Sequence, residues 1–308
     1  MTILKLMGHV ALPAHTGTGG FDHAAVHEAT GHIYVAHTAN GTVDVLDAEK
    51  HLFTIPGLPG VAGALVSDEA QLIFSSNRAE NTVGIFAPGP NPQVTKVKVG
   101  HRPNGLAYDH GRQLLLAANV GDPEIAGSHT VTMVDVATRK VRAEIAVPGR
   151  TRWTVFDAAS GFFYVNIMDP AVIAVIDARK PDALAYMYAL PVAGPHGLDF
   201  EPATRRLFCA CDSGRLITLD AANGRILGDA PLSGVPDVVF LHQRRRQLYV
   251  AVGDPGVIDL FDIAAMKSLG RIETEKGAHT TALAPSRDLL YAFLPQTHRA
   301  AVYCIDGS

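Results

Sequence analysis

Short apolar runs recur along the chain, separated by polar turns, and no helical period is sustained anywhere. One unit repeats. It has a small or Pro-Gly lead-in, an apolar strand, a polar turn, a second apolar strand, a loop, and a third strand ending in Asp. "DHAAVHEATGHIYVAHTANGTVDVLD" shows it first, and "HGLDFEPATRRLFCACDSGRLITLD" and "DVVFLHQRRRQLYVAVGDPGVIDLFD" show it again. Runs this short, bounded by turn residues, read as strands.

Aligning the units gives seven leading residues: Asp22, Ala62, Asn104, Arg152, His196, Asp237 and His279. Their spacings are 40, 42, 48, 44, 41 and 42, and the long interval holds one insertion, "GDPEIAGSH". A second register follows fifteen residues after each: His37, Asn77, Asn119, Ile167, Cys211, Val252 and Leu294. Seven such units, each of about four short strands, predict an all-β fold, a single seven-bladed β-propeller over residues 1–308. The last unit stops after "AAVYCIDGS" without an outer strand. The N-terminal "TILKLMGHVAL" is expected to supply it, closing the ring inside the last blade and leaving no free sheet edge there.

The stretches "IYVAHTANGTVDVLD", "LIFSSNRAENTVGIF", "FYVNIMDPAVIAVID" and "LYVAVGDPGVIDLFD" resemble the YVTN-type, YncE-like family of seven-bladed propellers, over nearly the whole chain. No unit contains a literal YVTN; its final Asn matches Asn77 and Asn119, and His37 stands there in the first blade. The resemblance implies the fold. Propellers host unrelated activities, so function has to be argued from a site.

Hydrophobic residues make up 47% of the 308, enough for a sizeable core, and the 18% charged argues against disorder. A net charge of −4 provides no global basic field, so nucleic acid is not the expected partner. The N-terminal segment lacks a charged start followed by a continuous apolar run, so neither a signal peptide nor a membrane span is expected. Cys209, Cys211 and Cys304 are an odd, sparse set that suits a reducing cytoplasm. Cys209 and Cys211 sit on one face of a strand, poorly placed to bridge; buried thiols are the reading, ahead of a redox or soft-metal pair.

The stretch "FDHAAVHEATGHIYVAH" carries four histidines. In a propeller the leading residues and the ends of the second strands surround the mouth of the central channel. His37 falls in that register and His23 lies just inside it, while His27 and His32 flank a turn on the opposite face and are expected to be solvated. The mouth registers gather Asp22, His37, Asn77, Asn104, Asn119, Arg152, His196, Asp237 and His279, with Trp153 alongside. Turn capping accounts for the asparagines; it accounts less well for Arg152, His196 and His279.

His196, Asp237 and His279, from three consecutive blades, are the candidates for general acid–base catalysis or for ligands to a divalent metal. Asp22, His37, Asn77, Asn104, Asn119, Arg152 and Trp153 are the candidate substrate contacts, Arg152 for an anionic group. No HExxH or CxxC spacing is present. These residues suggest a site for a small molecule or metal, with lactone hydrolysis or a lyase reaction as the analogous chemistry. Two other classes stand beside it. One is a non-catalytic protein-interaction scaffold. The other is a binder of anions or single-stranded nucleic acid through Arg205, Arg206, Arg244, Arg245 and Arg246 on the opposite face, where the aromatic interleaving of a stacking platform is missing. The insertion, with Asp122, Glu124 and His129, is expected to overhang the mouth.

Overall fold

The computed structural model describes residues 4–306. Seven four-stranded antiparallel sheets follow one another around a ring. The innermost strands, Ala24–His27, Val61–Ser67, Pro103–Asp109, Thr151–Asp157, Pro195–Glu201, Val235–His242 and Thr280–Ala284, stand side by side around the channel. The only helical element among the described residues is a single 3-10 turn, Thr38–Asn40, and no helix there is long and apolar enough to cross a membrane.

The alternating apolar positions are spent between blades. Seven buried clusters occur, one at each blade–blade seam; Phe74 and Val83 meet Leu115 and Ala117, for example, and Phe208 meets Leu248 and Val250. Tyr34, Tyr164, Tyr249 and Tyr291, one per second strand in four blades, are fully buried in these seams. Cys209 and Cys211 are buried in one of them with their sulfurs 3.8 Å apart and unbridged.

The ring closes as the repeat predicts. Strand Leu4–Ala11 pairs antiparallel with Arg299–Ile305, placing the chain's start on the outer edge of the seventh blade. Leu4 packs into the seam between blades six and seven, and Val10 and Leu12 into the seam between seven and one. Met1–Ile3 of the expected strand lie outside the described residues.

Local irregularity positions the mouth. In blades two to six the strand register shifts at the start of the innermost strand: Val61/Gly63, Pro103/Leu106, Thr151/Thr154, Pro195/Gly197 and Pro236/Val239. Such a bulge re-aims one side chain. The leading residues Asn104, Arg152, His196 and Asp237 fall inside these shifts and turn toward the axis. Glycine makes the approach possible: a Cβ on Gly197 would lie 2.0 Å from the Asp237 carbonyl oxygen of the next blade. Gly197→Ala is therefore expected to destabilise the fold by about 1–3 kcal/mol, the usual cost of overpacking, read as a lower urea midpoint with an unchanged slope. A midpoint equal to wild type would mean that the two strands separate freely.

The face away from the mouth departs from expectation at His27. It is buried rather than solvated, with Nδ1 2.8 Å from Thr30 Oγ1 and Nε2 3.5 Å from Asp68 Oδ1 on the next blade. The arginines of this face are largely committed to carboxylates. Arg205 pairs with Asp157, Arg206 with Glu201, and Arg244 and Arg245 with Asp288.

Candidate functional site

The bulged leading residues converge on a polar cavity of about 150 Å³ at the channel mouth. Asp22, His23, Asn104, Arg152, Trp153, His196 and Asp237 line it, joined by Arg78 and Arg150. A cleft of about 480 Å³ adjoins it between blades six and seven, lined by Val235, Pro236, Gly253, Lys276, His279 and Gln296 among others. His196 and Asp237 line both spaces, so the boundary between them is an imidazole–carboxylate pair.

His196 is the most constrained group. Its Nδ1 lies 2.7 Å from Asp212 Oδ1, so an ionised Asp212 fixes the proton on Nδ1. Its Nε2 lies 3.2 Å from an Arg152 guanidinium nitrogen and 3.3 Å from Asp237 Oδ1. Neutral imidazole accepts at Nε2 from Arg152; imidazolium donates there to Asp237. Each protonation state thus has a partner in place. Asn166 Nδ2 donates to the backbone carbonyls of His196 and Gly197, holding the bulge.

Asp237 also faces His279, whose Nε2 is 3.9 Å from Oδ2. Burial alone would raise the Asp237 carboxyl; the charges of His196, His279, His23 and Arg152 outweigh it and hold it below the ordinary carboxylate value. His23 is moved down, chiefly by burial, so it is neutral near pH 7.

The opposite wall is cationic. Arg78 pairs with Asp22 at 3.2 Å and Arg152 reaches Asp212 at 3.5 Å. Arg150 makes no ion pair among the described residues, and burial together with the charges of Arg152, Arg78 and Arg102 lowers its proton affinity. Asn104 Oδ1 and the Nε atoms of Arg78 and Arg152 are buried and have no hydrogen-bond partner among the described residues. Hydrogen-bonding capacity is thus in surplus here, and Arg150 brings a positive charge with no carboxylate of its own among the described residues.

Of the sequence candidates, Asp22, Asn104, Arg152, Trp153, His196 and Asp237 line one cavity, and His279 stands across Asp237 in the adjoining cleft. His37, Asn77 and Asn119 do not reach the mouth. All three are fully buried: Asn77 donates to Thr82, Asn119 to Thr130 and Thr132, and His37 bonds Asp44 and His15. Arg78, which does line it, and Asp212, which backs His196 and Arg152, each follow the second register by one residue. The insertion folds on itself through Ser128–Asp122 and His129–Val120 bonds and gives no side chain to the polar cavity.

Of the candidate metal ligands, His196 Nε2 faces a guanidinium, whose fixed charge opposes a second cation. Among the described residues no group of three or more His, Cys, Asp or Glu is arranged to hold one.

No family model matches the chain, and no curated protein matches its sequence. Among solved structures 1696 chains match. Hydrazine synthase of Kuenenia stuttgartiensis is among them, with a TM-score of 0.82 and 12% identity, covering 96% of this chain and 98% of that chain. At that identity the likeness shows the fold alone.

Proposed function

We propose that the channel mouth binds a small organic anion and performs acid–base chemistry on it, with His196 as the proton-transferring group. The observation that carries this reading is the convergence of Arg78, Arg150 and Arg152 on the cavity that also holds the His196–Asp237 pair. A carboxylate or phosphate head fits the arginine wall, where guanidinium forks suit planar and tetrahedral anions. The cavity is small, about 150 Å³, so the head sits there and the rest of the molecule extends past His196 into the blade six–seven cleft.

The reacting atom then lies beside His196 Nε2. That nitrogen takes a proton from a substrate carbon or from a water, and Arg152, adjacent to it, stabilises the negative charge that develops. Asp212 orients the imidazole and supports its charged form. Proton removal from the carbon next to a carboxylate, with the β C–O or C–N bond breaking as the C=C bond forms and the leaving group taking a proton from imidazolium, makes the enzyme a lyase; removal of a water proton, with the hydroxide adding to a lactone carbonyl, the ring C–O bond breaking and the alkoxide taking the proton back from imidazolium, makes it a hydrolase of the lactonase kind. The YVTN-type, YncE-like affinity of the repeats belongs to this proposal, as does a reducing, cytoplasmic setting, supported by cysteines of which none is bridged. We assign no metal to the site.

A thermal-shift screen of small carboxylates, sugar phosphates and lactones tests the reading. Anionic compounds are expected to raise the melting temperature by about 2–8 °C at 100 Kd, less at high salt. A screen in which uncharged analogues stabilise as well as the anions would remove the arginine wall from the account.

A further inference from the structure

Below the polar mouth the channel changes character. His23 and Trp153 meet with ring centroids 4.0 Å apart and separate the mouth from a second cavity of about 440 Å³. Its walls are Leu65, Leu106, Val155, Val239 and Leu283 with the aromatic rings of Trp153, Tyr108, Phe156, Phe200 and Phe240. Pro202 and Gln243, from turns on the face away from the mouth, form its lower rim. The volume lies within the range of about 300–1,000 Å³ usual for small-molecule sites.

One carboxyl interrupts the apolar wall. Asp199 is held by two backbone amides: the N–H of Phe200 donates to Oδ1 and the N–H of Leu241, on the next blade, to Oδ2, each at 2.7 Å. No Lys, Arg or second carboxylate lines the cavity; its other titratable groups are His23 and Tyr108. A carboxyl placed in apolar surroundings with no cation of its own is costly to ionise, and aromatic faces attract positive charge.

We propose that this lower channel is a second ligand site, taking a compact organic cation — an ammonium group bearing a small apolar or aromatic substituent — with Asp199 as its counter-ion and aromatic rings around it. The site is opposite in sign to the arginine mouth and stands independently of the chemistry assigned there. Burial raises the Asp199 carboxyl to about 7 against the pull of its two amide bonds. A cation should therefore bind better once Asp199 is ionised. Burial moves His23 down and Tyr108 up, each toward its neutral form.

Calorimetric titration of the full chain with benzyltrimethylammonium, whose charge does not vary with pH, tests this. Saturable 1:1 binding is expected, strengthening about tenfold from pH 6 to 8.5 as Asp199 ionises. Benzyl alcohol, which keeps the ring and lacks the charge, should bind at least about tenfold more weakly, and inorganic phosphate should not compete. Asp199→Asn should weaken the cation at least about tenfold and flatten its pH profile. Should that variant not fold, Ala25→Phe, which fills the cavity from its wall, should abolish binding, and the wild-type pH profile is decisive by itself. Absence of saturation to about 10 mM, a flat wild-type profile, equal binding of benzyl alcohol, or competition by phosphate would each overturn the proposal.

Discussion

Removing residues 1–11 is expected to cost the protein its cooperative fold. Leu4–Ala11 supplies the outer strand of the seventh blade, and its loss leaves the backbone groups of Arg299–Ile305 unpaired along an open edge. It also withdraws Leu4 from one seam and Val10 from the next. Burial of two such side chains stabilises by about 4 kcal/mol, and each of the lost ladder hydrogen bonds adds roughly 0.5–1.5 kcal/mol net. The sum rivals the whole stability of an ordinary domain, about 5–15 kcal/mol. The truncated chain should be aggregated, or melt at least about 15 °C below full length. A synthetic peptide of residues 1–11 added during refolding should restore solubility by occupying the vacant edge. A truncated chain that melts like wild type would show that the first and last blades hold together without the strand.

This closure was legible because it depends on counting strands, and strand number survives any error in side-chain direction. The leading residues were legible for a similar reason: Asp22, Asn104, Arg152, His196 and Asp237 share a position in the repeat and meet in one cavity. The second register misled, and the pairing explains why. Its constant offset reflects hydrogen-bond register: Asn77 pairs with Val61, Asn119 with Pro103, Ile167 with Thr151 and Cys211 with Pro195. Each partner is the residue before a leading residue, and in a pleated strand that neighbour points to the other face. His37, Asn77 and Asn119 therefore turn into the blade seams. The next residue along leaves the strand, and there Arg78 enters the cavity and Asp212 meets His196. Advancing the register by one would have found both. Arg150 lies two residues ahead of Arg152 on a connecting loop, and the groups that hold Asp199 are backbone amides; neither carries a sequence signal.

At the mouth, three substitutions are expected to give effects of different kind on an anionic substrate drawn from the screen. His196→Gln removes the proton-transferring atom and leaves the arginines in place. Turnover should fall by about 10²–10⁴ while anion affinity changes little. Arg152→Ala removes both a charge-assisted contact and the group beside Nε2, so affinity should fall by about 10–100-fold and turnover with it. Asp237→Asn separates the two roles by sign. Its carboxylate faces His196, His279 and Arg152, opposing any anion that enters, and it accepts the proton-bearing Nε2 when His196 is charged. With that charge gone the anion should bind a few-fold tighter at about 0.1 M salt, because one repulsive charge is removed from a partly buried space. Turnover should nevertheless drop, because imidazolium at position 196 has lost its anionic partner and keeps only a neutral amide oxygen to donate to. Tighter binding with slower turnover is a combination that a merely structural Asp237 would not produce; general loosening of the mouth would weaken both. Calorimetry for affinity and initial rates for turnover, run on the same preparations with melting curves alongside, read the outcome. If Asp237→Asn weakens anion binding in parallel with turnover, the carboxylate is a support for the arginine wall rather than the counterpart of His196, and the acid–base assignment falls with it.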